Sequence, residues 1–243
     1  MIAVLVVLAL WELAPRLGWV RSESVPAFSD VVREAAAIVT RPEFLDQLGA
    51  SAGRWAAGLG LAVVIGVPLG LAMGRSRALH ALVDPLLVAG YPVPKAALIL
   101  VFVLWWGAGD ASRIAVVVTG ALIPLVISSY HGAAAVRPAL LWSARGLGTG
   151  RWRLWRRVVL PAALPQILSG VRIAIAISIF TVLASELLIR GSGIGAYMFT
   201  ALDNGQTLTV FAMSVIVATL GFALDVLYAA AVRRAVPWIE GDV

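Results

Sequence analysis

Long apolar runs alternate along this chain with short polar segments, and their spacing predicts about six membrane-spanning helices. A spanning helix needs about 20 mostly apolar residues. Residues 55–74 carry no charge, 85–109 only Lys95, and 114–136 and 204–224 none. A fifth span is expected at about 168–188. Ahead of it, residues 158–171 are apolar but carry Pro161 and Pro165, which should redirect the chain into the membrane from a hairpin outside it. Residues 1–17 form a first span interrupted by Glu12. A removable leader is the competing reading there. It would need a basic start and a small-residue cleavage site, and neither is present, so a retained helix is expected.

Finer periodicity adds three elements. Ser29 is placed to cap a helix in which Val31, Val32, Ala35, Ile38 and Val39 share one face, as in a helix lying at a membrane interface. Gly58, Ala62, Gly66, Gly70 and Gly74 form a ridge of small residues four apart, which lets another helix approach closely, within this subunit or at a dimer seam. Trp105 and Trp106 belong to an aromatic belt where the third span ends.

Composition supports lipid as the solvent. Of 243 residues, 61% are hydrophobic and 13% charged, with a mean hydropathy of +0.95. Soluble domains run at about 45–50% apolar and about 25% charged. The net charge of +6 does not point to nucleic acid, because the arginines cluster between apolar runs. Arg137, Arg145, Arg151, Arg153, Arg156 and Arg157 lie in 131–166, a stretch without an acidic residue; Arg75, Arg77, Arg233 and Arg234 fall on the same side of six spans. Basic loops face the cytosol, so both termini are expected there. Residues 18–53 mix both signs and should lie outside. With no cysteine, disulfides and thiolate metal sites are excluded. No internal repeat or interdomain linker is visible.

The basic loop has its own layout. Residues 139–147 predict a short helix with Leu140, Leu141, Ala144 and Leu147 on an apolar face, closed by Gly148-Thr149-Gly150. A second short helix follows with Trp152, Trp155 and arginines. Exposed tryptophans on a helical hairpin suggest a docking surface.

This segment resembles the "EAA" loop of binding-protein-dependent ABC importer permeases, E-A-A-x3-G-x9-I-x-L-P. Ser143 and Ala144 stand at the two alanines, Gly148 at the glycine, Val158 at the isoleucine, and Leu160-Pro161 at the end. Trp142 replaces the glutamate. Y-P-V-P-K-A-A-L-I-L-V-F-V-L-W-W-G-A-G (91–109), A-S-E-L-L-I-R-G-S-G-I-G (184–195) and L-D-V-L-Y-A-A-A-V-R-R (224–234) look like segments of the nitrate/sulfonate/taurine branch.

The resemblance implies an all-α, polytopic type I permease. Residues 1–47 would be an N-terminal helix and outer segment, 48–234 the permease domain, and 235–243 a cytosolic tail. It implies a pore subunit in the bacterial inner membrane for a small anionic solute of sulfonate, taurine, nitrate, aromatic-acid or vitamin-precursor class. Two copies would pair as a homodimer, with two ATPase subunits below and a substrate-binding protein above. The ATPase would be met by Trp142, Ser143, Ala144, Arg145, Gly148, Arg151, Leu160 and Pro161.

No nucleotide or catalytic motif is present. The P-loop pattern G-x4-G-K-[ST] needs a lysine after glycine, and the chain's one lysine, Lys95, follows Pro94. H-E-x-x-H and G-x-S-x-G are also missing. His80 and His131 are read as loop residues, and no cofactor or metal is expected. Charges within a bilayer are functional candidates. Lys95 and Glu186 are therefore candidates for the translocation path, Lys95 against snorkelling to the interface and Glu186 against pairing with Arg190 or Arg172. Asp225 is read as structural. A stand-alone secondary transporter is the alternative function, and a membrane enzyme a third that lacks a nucleophile–base set.

Overall fold

The computed structural model describes residues 2–236; Met1 and residues 237–243, most of the tail expected at 235–243, lie outside the described residues. Among the described residues the chain is α-helical, without strands. It divides into two compact units: the described residues of Met1–Gly53 with Leu183–Leu224, and Arg54–Val182 with the described residues of Asp225–Val243.

The first unit opens with α1 (Ile2–Arg16), a 15-residue helix that buries no residue. Glu12, which interrupts its apolar run, caps α2 (Phe28–Ile38): its carboxylate accepts from the Ser29 N–H at 2.9 Å and the Ser29 hydroxyl at 3.0 Å. Ser29 was expected to be the cap. The N-terminal position belongs instead to Ala27, which has no side-chain oxygen, and Glu12 supplies the acceptor. Trp11 pins the same junction, donating to the Pro26 carbonyl at 3.1 Å. Val31, Ala35 and Ile38 enter a core with Phe44, Ile194, Ala212, Met213 and Ile216. Val32 and Val39, expected on that face, are exposed, because one helical face accommodates i, i+4 and i+7 but not both their neighbours. This unit also contains α10 (Ile194–Asp203) and the first part of α11 (Thr207–Ala235).

The second unit is built on α6 (Asp110–Ala134), which buries residues along most of its length. α3 (Pro42–Arg75) packs on it through the small-residue ridge. A Cβ added at Gly58 would fall 2.5 Å from Val117 Cγ1, and one at Gly74 2.6 Å from Ala133 Cβ. At Gly70 it would collide with the Val126 carbonyl. The ridge is thus used within the subunit. On the other side of α6, Gly120 and Gly132 give α9 (Leu160–Leu188) the same close approach, at Thr181 and Ala163. Trp55 Nε1 donates to Ser178 Oγ at 2.8 Å, tying α3 to α9.

Among the described residues four helices are long and apolar enough to span a membrane, Pro42–Arg75, Asp110–Ala134, Arg151–Leu188 and Thr207–Arg234, and a bent pair makes a fifth if it is one span. The third span was expected as one apolar run over residues 85–109. Instead α4 (Arg77–Gly90) meets the segment Lys95–Trp106, which contains α5 (Leu98–Trp106), at 84°. Pro92 and Pro94 cannot donate to the helix ladder, so the chain breaks between them. Pro68, Pro85 and Pro124 lie inside continuous helices. Gly107, at φ +79°, ends α5, and the buried Ser112 hydroxyl ties that end to α6, lying 2.9 and 2.6 Å from the carbonyls of Phe102 and Gly107, which share its one donor.

Candidate functional site

The basic loop folds as a hairpin. α7 (Pro138–Gly146) starts with proline at its first position, where the missing N–H is no loss. It ends in a Schellman turn: Thr149 N–H donates to the Ala144 carbonyl at 3.1 Å and Gly148 N–H to the Arg145 carbonyl at 2.9 Å, with Gly148 at φ +73°. α8 (Arg151–Leu154) continues through a five-residue π turn (Trp155–Val159) directly into α9. Pro161 and Pro165 therefore lie inside a 38-residue helix, Arg151–Leu188, where they were expected to redirect the chain. The π turn explains the difference. Leu160 N–H already bonds five residues back, to Trp155, so the ladder is offset just before the proline that cannot donate.

Leu141 and Val159 are buried in a cluster with Leu71, Ala133, Val136, Leu154, Ala163 and Ile167, and Ala144 packs on it. Leu140 and Leu147 do not join Leu141 on a buried face; Leu147 is 86% exposed. Facing out beside it are Trp142, 69% exposed, Ser143, Arg145 and Gly148. Leu160 and Pro161 are exposed at the root of α9. Arg145 and Arg151 converge with Arg75 around a depression of about 370 Å³, a meeting the linear sequence conceals. The hairpin so presents an exposed apolar and cationic surface on a rigid, capped base.

Lys95 sits in the break between α4 and α5. Its ammonium donates to the carbonyls of Gly90, Tyr91 and Val93 at 2.5, 2.9 and 2.8 Å, and the Gly90 carbonyl also accepts from Val93 N–H at 3.3 Å. Glu186 is fully buried. Ser51 Oγ, which accepts from Ile194 N–H at 2.8 Å, lies 2.7 and 2.9 Å from the two carboxylate oxygens, and Gly195 N–H donates to one of them at 3.1 Å. Gly193, at φ +112°, passes so close that a Cβ there would overlap the carboxylate. Its N–H donates to Gln47 Oε1 at 2.5 Å. Gly193 and Gly195 are thus needed to wrap a chain around Glu186. Of its expected partners, Arg190 meets Asp203 at 3.3 Å and lies over the Phe199 ring, and Arg172 forms a two-point pair with Asp225 at 2.7 and 2.8 Å.

One charged group was missed. Arg54, 6% exposed, and the buried Arg113 both bond Asp110 Oδ1, at 2.7 and 3.2 Å. The signal was available, since these residues border the charge-free runs of the second and fourth spans. His80 and His131 lie in helices, not loops, each with its ring against Tyr130 at 4.6 and 5.1 Å between centroids. Among the described residues no His, Cys, Asp or Glu cluster could hold a metal ion.

Comparison with known proteins places this architecture. The chain is similar to the taurine transport system permease protein TauC of Escherichia coli (strain K12), at 30% identity over 98% of this chain and 88% of that protein. It is similar to a putative aliphatic sulfonates transport permease protein, SsuC, of Bacillus subtilis (strain 168), at 30% identity over 96% and 84%. Its fold is that of a chain in the crystal structure of a bacterial alginate ABC transporter in complex with alginate pentasaccharide-bound periplasmic protein, with a TM-score of 0.63 and 16% identity over 96% of this chain and 93% of that one. The model of the family described as "binding-protein-dependent transport system inner membrane component" matches residues 62–236, and the chain belongs to that family, the permease subunits of ABC transporters.

Proposed function

We propose that this multi-pass inner membrane protein forms half of the pore of an ATP-driven importer for a sulfonate-class anion. A separate ATPase subunit would bind at the 138–161 hairpin. The observation that carries the reading is the capped hairpin, which holds Trp142, Ser143, Arg145 and Gly148 out of the fold while anchoring Leu141 and Ala144 within it. Such a rigid knob, fixed to the start of a 38-residue helix, converts movement of a bound ATPase into movement of a spanning element. The transport subunit itself is not an enzyme. Two copies would line the path, the positive-inside rule sets the hairpin and both termini in the cytosol, and a binding protein would deliver solute outside.

The solute class rests on the taurine and sulfonate permeases among the relatives. For Lys95 and Glu186 the contacts favour a supporting role, at the α4–α5 bend and under the 191–195 loop. A place along the path would show instead as altered half-saturation at unchanged thermal stability.

The test is uptake by proteoliposomes holding this chain, its cognate ATPase and its binding protein. Accumulation of taurine or an alkanesulfonate in the lumen should require lumenal ATP, at the ATPase face, and the binding protein outside. Uptake driven by an ion gradient in the absence of ATPase would overturn the reading in favour of a secondary transporter.

A further inference from the structure

Two depressions in the second unit adjoin at Trp152 and Arg156. One, of about 400 Å³, is lined by Trp152, Arg153, Arg156 and Arg157. The other, of about 630 Å³, runs between Val67, Pro68 and Leu71 of α3 and Trp152, Trp155 and Leu160 at the head of α9, with Arg156 its one charged wall. Among the described residues none of these three arginines forms an ion pair, and the sequence holds no acidic residue between Asp110 and Glu186. Trp152 is 76% exposed at the junction of the two.

Each half by itself is ambiguous. Arginines alone would take a free phosphate, and an apolar trough alone a hydrophobic peptide. A cationic mouth that opens onto a dry trough, with tryptophan at the boundary, matches an amphiphile with an anionic head: guanidinium groups bind phosphate oxygens and tryptophan settles at headgroup depth. We propose that Arg153, Arg156 and Arg157 hold the phosphate of an anionic phospholipid of the inner leaflet, whose acyl chain lies in the trough between α3 and α9. The leaflet rests on the cytosolic placement of the hairpin proposed above. A lipid so seated anchors the root of the hairpin to the membrane surface and leaves the exposed face of α7 open.

Native mass spectrometry of the purified permease without its ATPase tests this. The protein is titrated with phosphatidylglycerol or phosphatidylcholine of identical chains. The expected result is one tightly held phosphatidylglycerol per chain, preferred on the order of a hundredfold if each arginine contributes about fivefold. The preference should vanish in the Arg153→Gln/Arg156→Gln/Arg157→Gln variant. Trp152→Ala should weaken long-chain phosphatidylglycerol more than its dihexanoyl form. Equal retention of both lipids, an unchanged preference in the triple variant, or displacement by inorganic phosphate would overturn the proposal. Displacement by the purified ATPase would assign the surface to that partner and overturn it also. The side is read separately: because the chain lacks cysteine, Thr149→Cys should react with a membrane-impermeant maleimide in inverted vesicles only. Labelling from outside overturns the inner-leaflet assignment and the cytosolic hairpin, whatever lipid is retained.

Discussion

Ser51 and Gly195 are among the groups that hold the buried Glu186 carboxyl. Ile194 N–H donates to Ser51 Oγ, the Ser51 hydroxyl donates to the carboxylate, and Gly195 N–H reaches the same group. Hydrogen bonds in such a chain polarise one another. Ser51→Ala leaves a buried carboxyl group short of a donor and should cost about 1–3 kcal/mol. Gly193→Ala should cost more, because its φ of +112° and the overlap with the Glu186 carboxylate act together. Both effects are read as a lower melting temperature in detergent, with Gly193→Ala the more unstable. Lys95→Met should behave likewise, since it strips the ammonium from three carbonyls at the α4–α5 bend. An altered half-saturation for substrate at an unchanged melting temperature would make Lys95 a path residue.

At the scale of elements, close helix approach does the organising. α6 lies against α3 through Gly58, Gly66, Gly70 and Gly74 and against α9 through Gly120 and Gly132. Without a hydrophobic drive in lipid, such backbone proximity and its van der Waals contact hold helices together. Gly70→Ala should destabilise by about 1–3 kcal/mol, as overpacking does, whereas Gly60→Ala on the same helix meets nothing within 4 Å and should be tolerated. Thermal stability of the two variants separates them. Arg172 and Asp225 clasp α9 to α11; either residue changed to leucine should lower the yield of folded protein, and exchanging the two charges should recover it.

The ridge and the hairpin caps were legible because each is a local pattern: small residues four apart, and a glycine where the helix must turn left-handed. The sites of the spans were legible from apolar runs. The 84° bend was not, although Pro92 and Pro94 were in view, because proline permits many angles and other prolines here stay inside helices. Nor was the straight entry into α9, since a π turn has no composition signal. The Glu12 cap on α2 and the meeting of Arg54 with Asp110 are pairings across 17 and 56 residues, which periodicity cannot express.

The whole molecule divides its labour between a membrane-embedded helix assembly and an exposed hairpin continuous with the helix Arg151–Leu188. Gly148 is the sharpest point of attack. Nothing lies within 4 Å of a Cβ there, so a side chain fits and only the left-handed backbone costs, about 1–2 kcal/mol. The fold should therefore survive a change that obstructs docking. The measurement is ATP hydrolysis by the reconstituted complex with solute-loaded binding protein, comparing the native chain with Gly148→Arg inserted in the membrane at equal amounts. Stimulation by the binding protein should be lost in the variant. Stimulation at the native level would contradict the hairpin as the coupling surface.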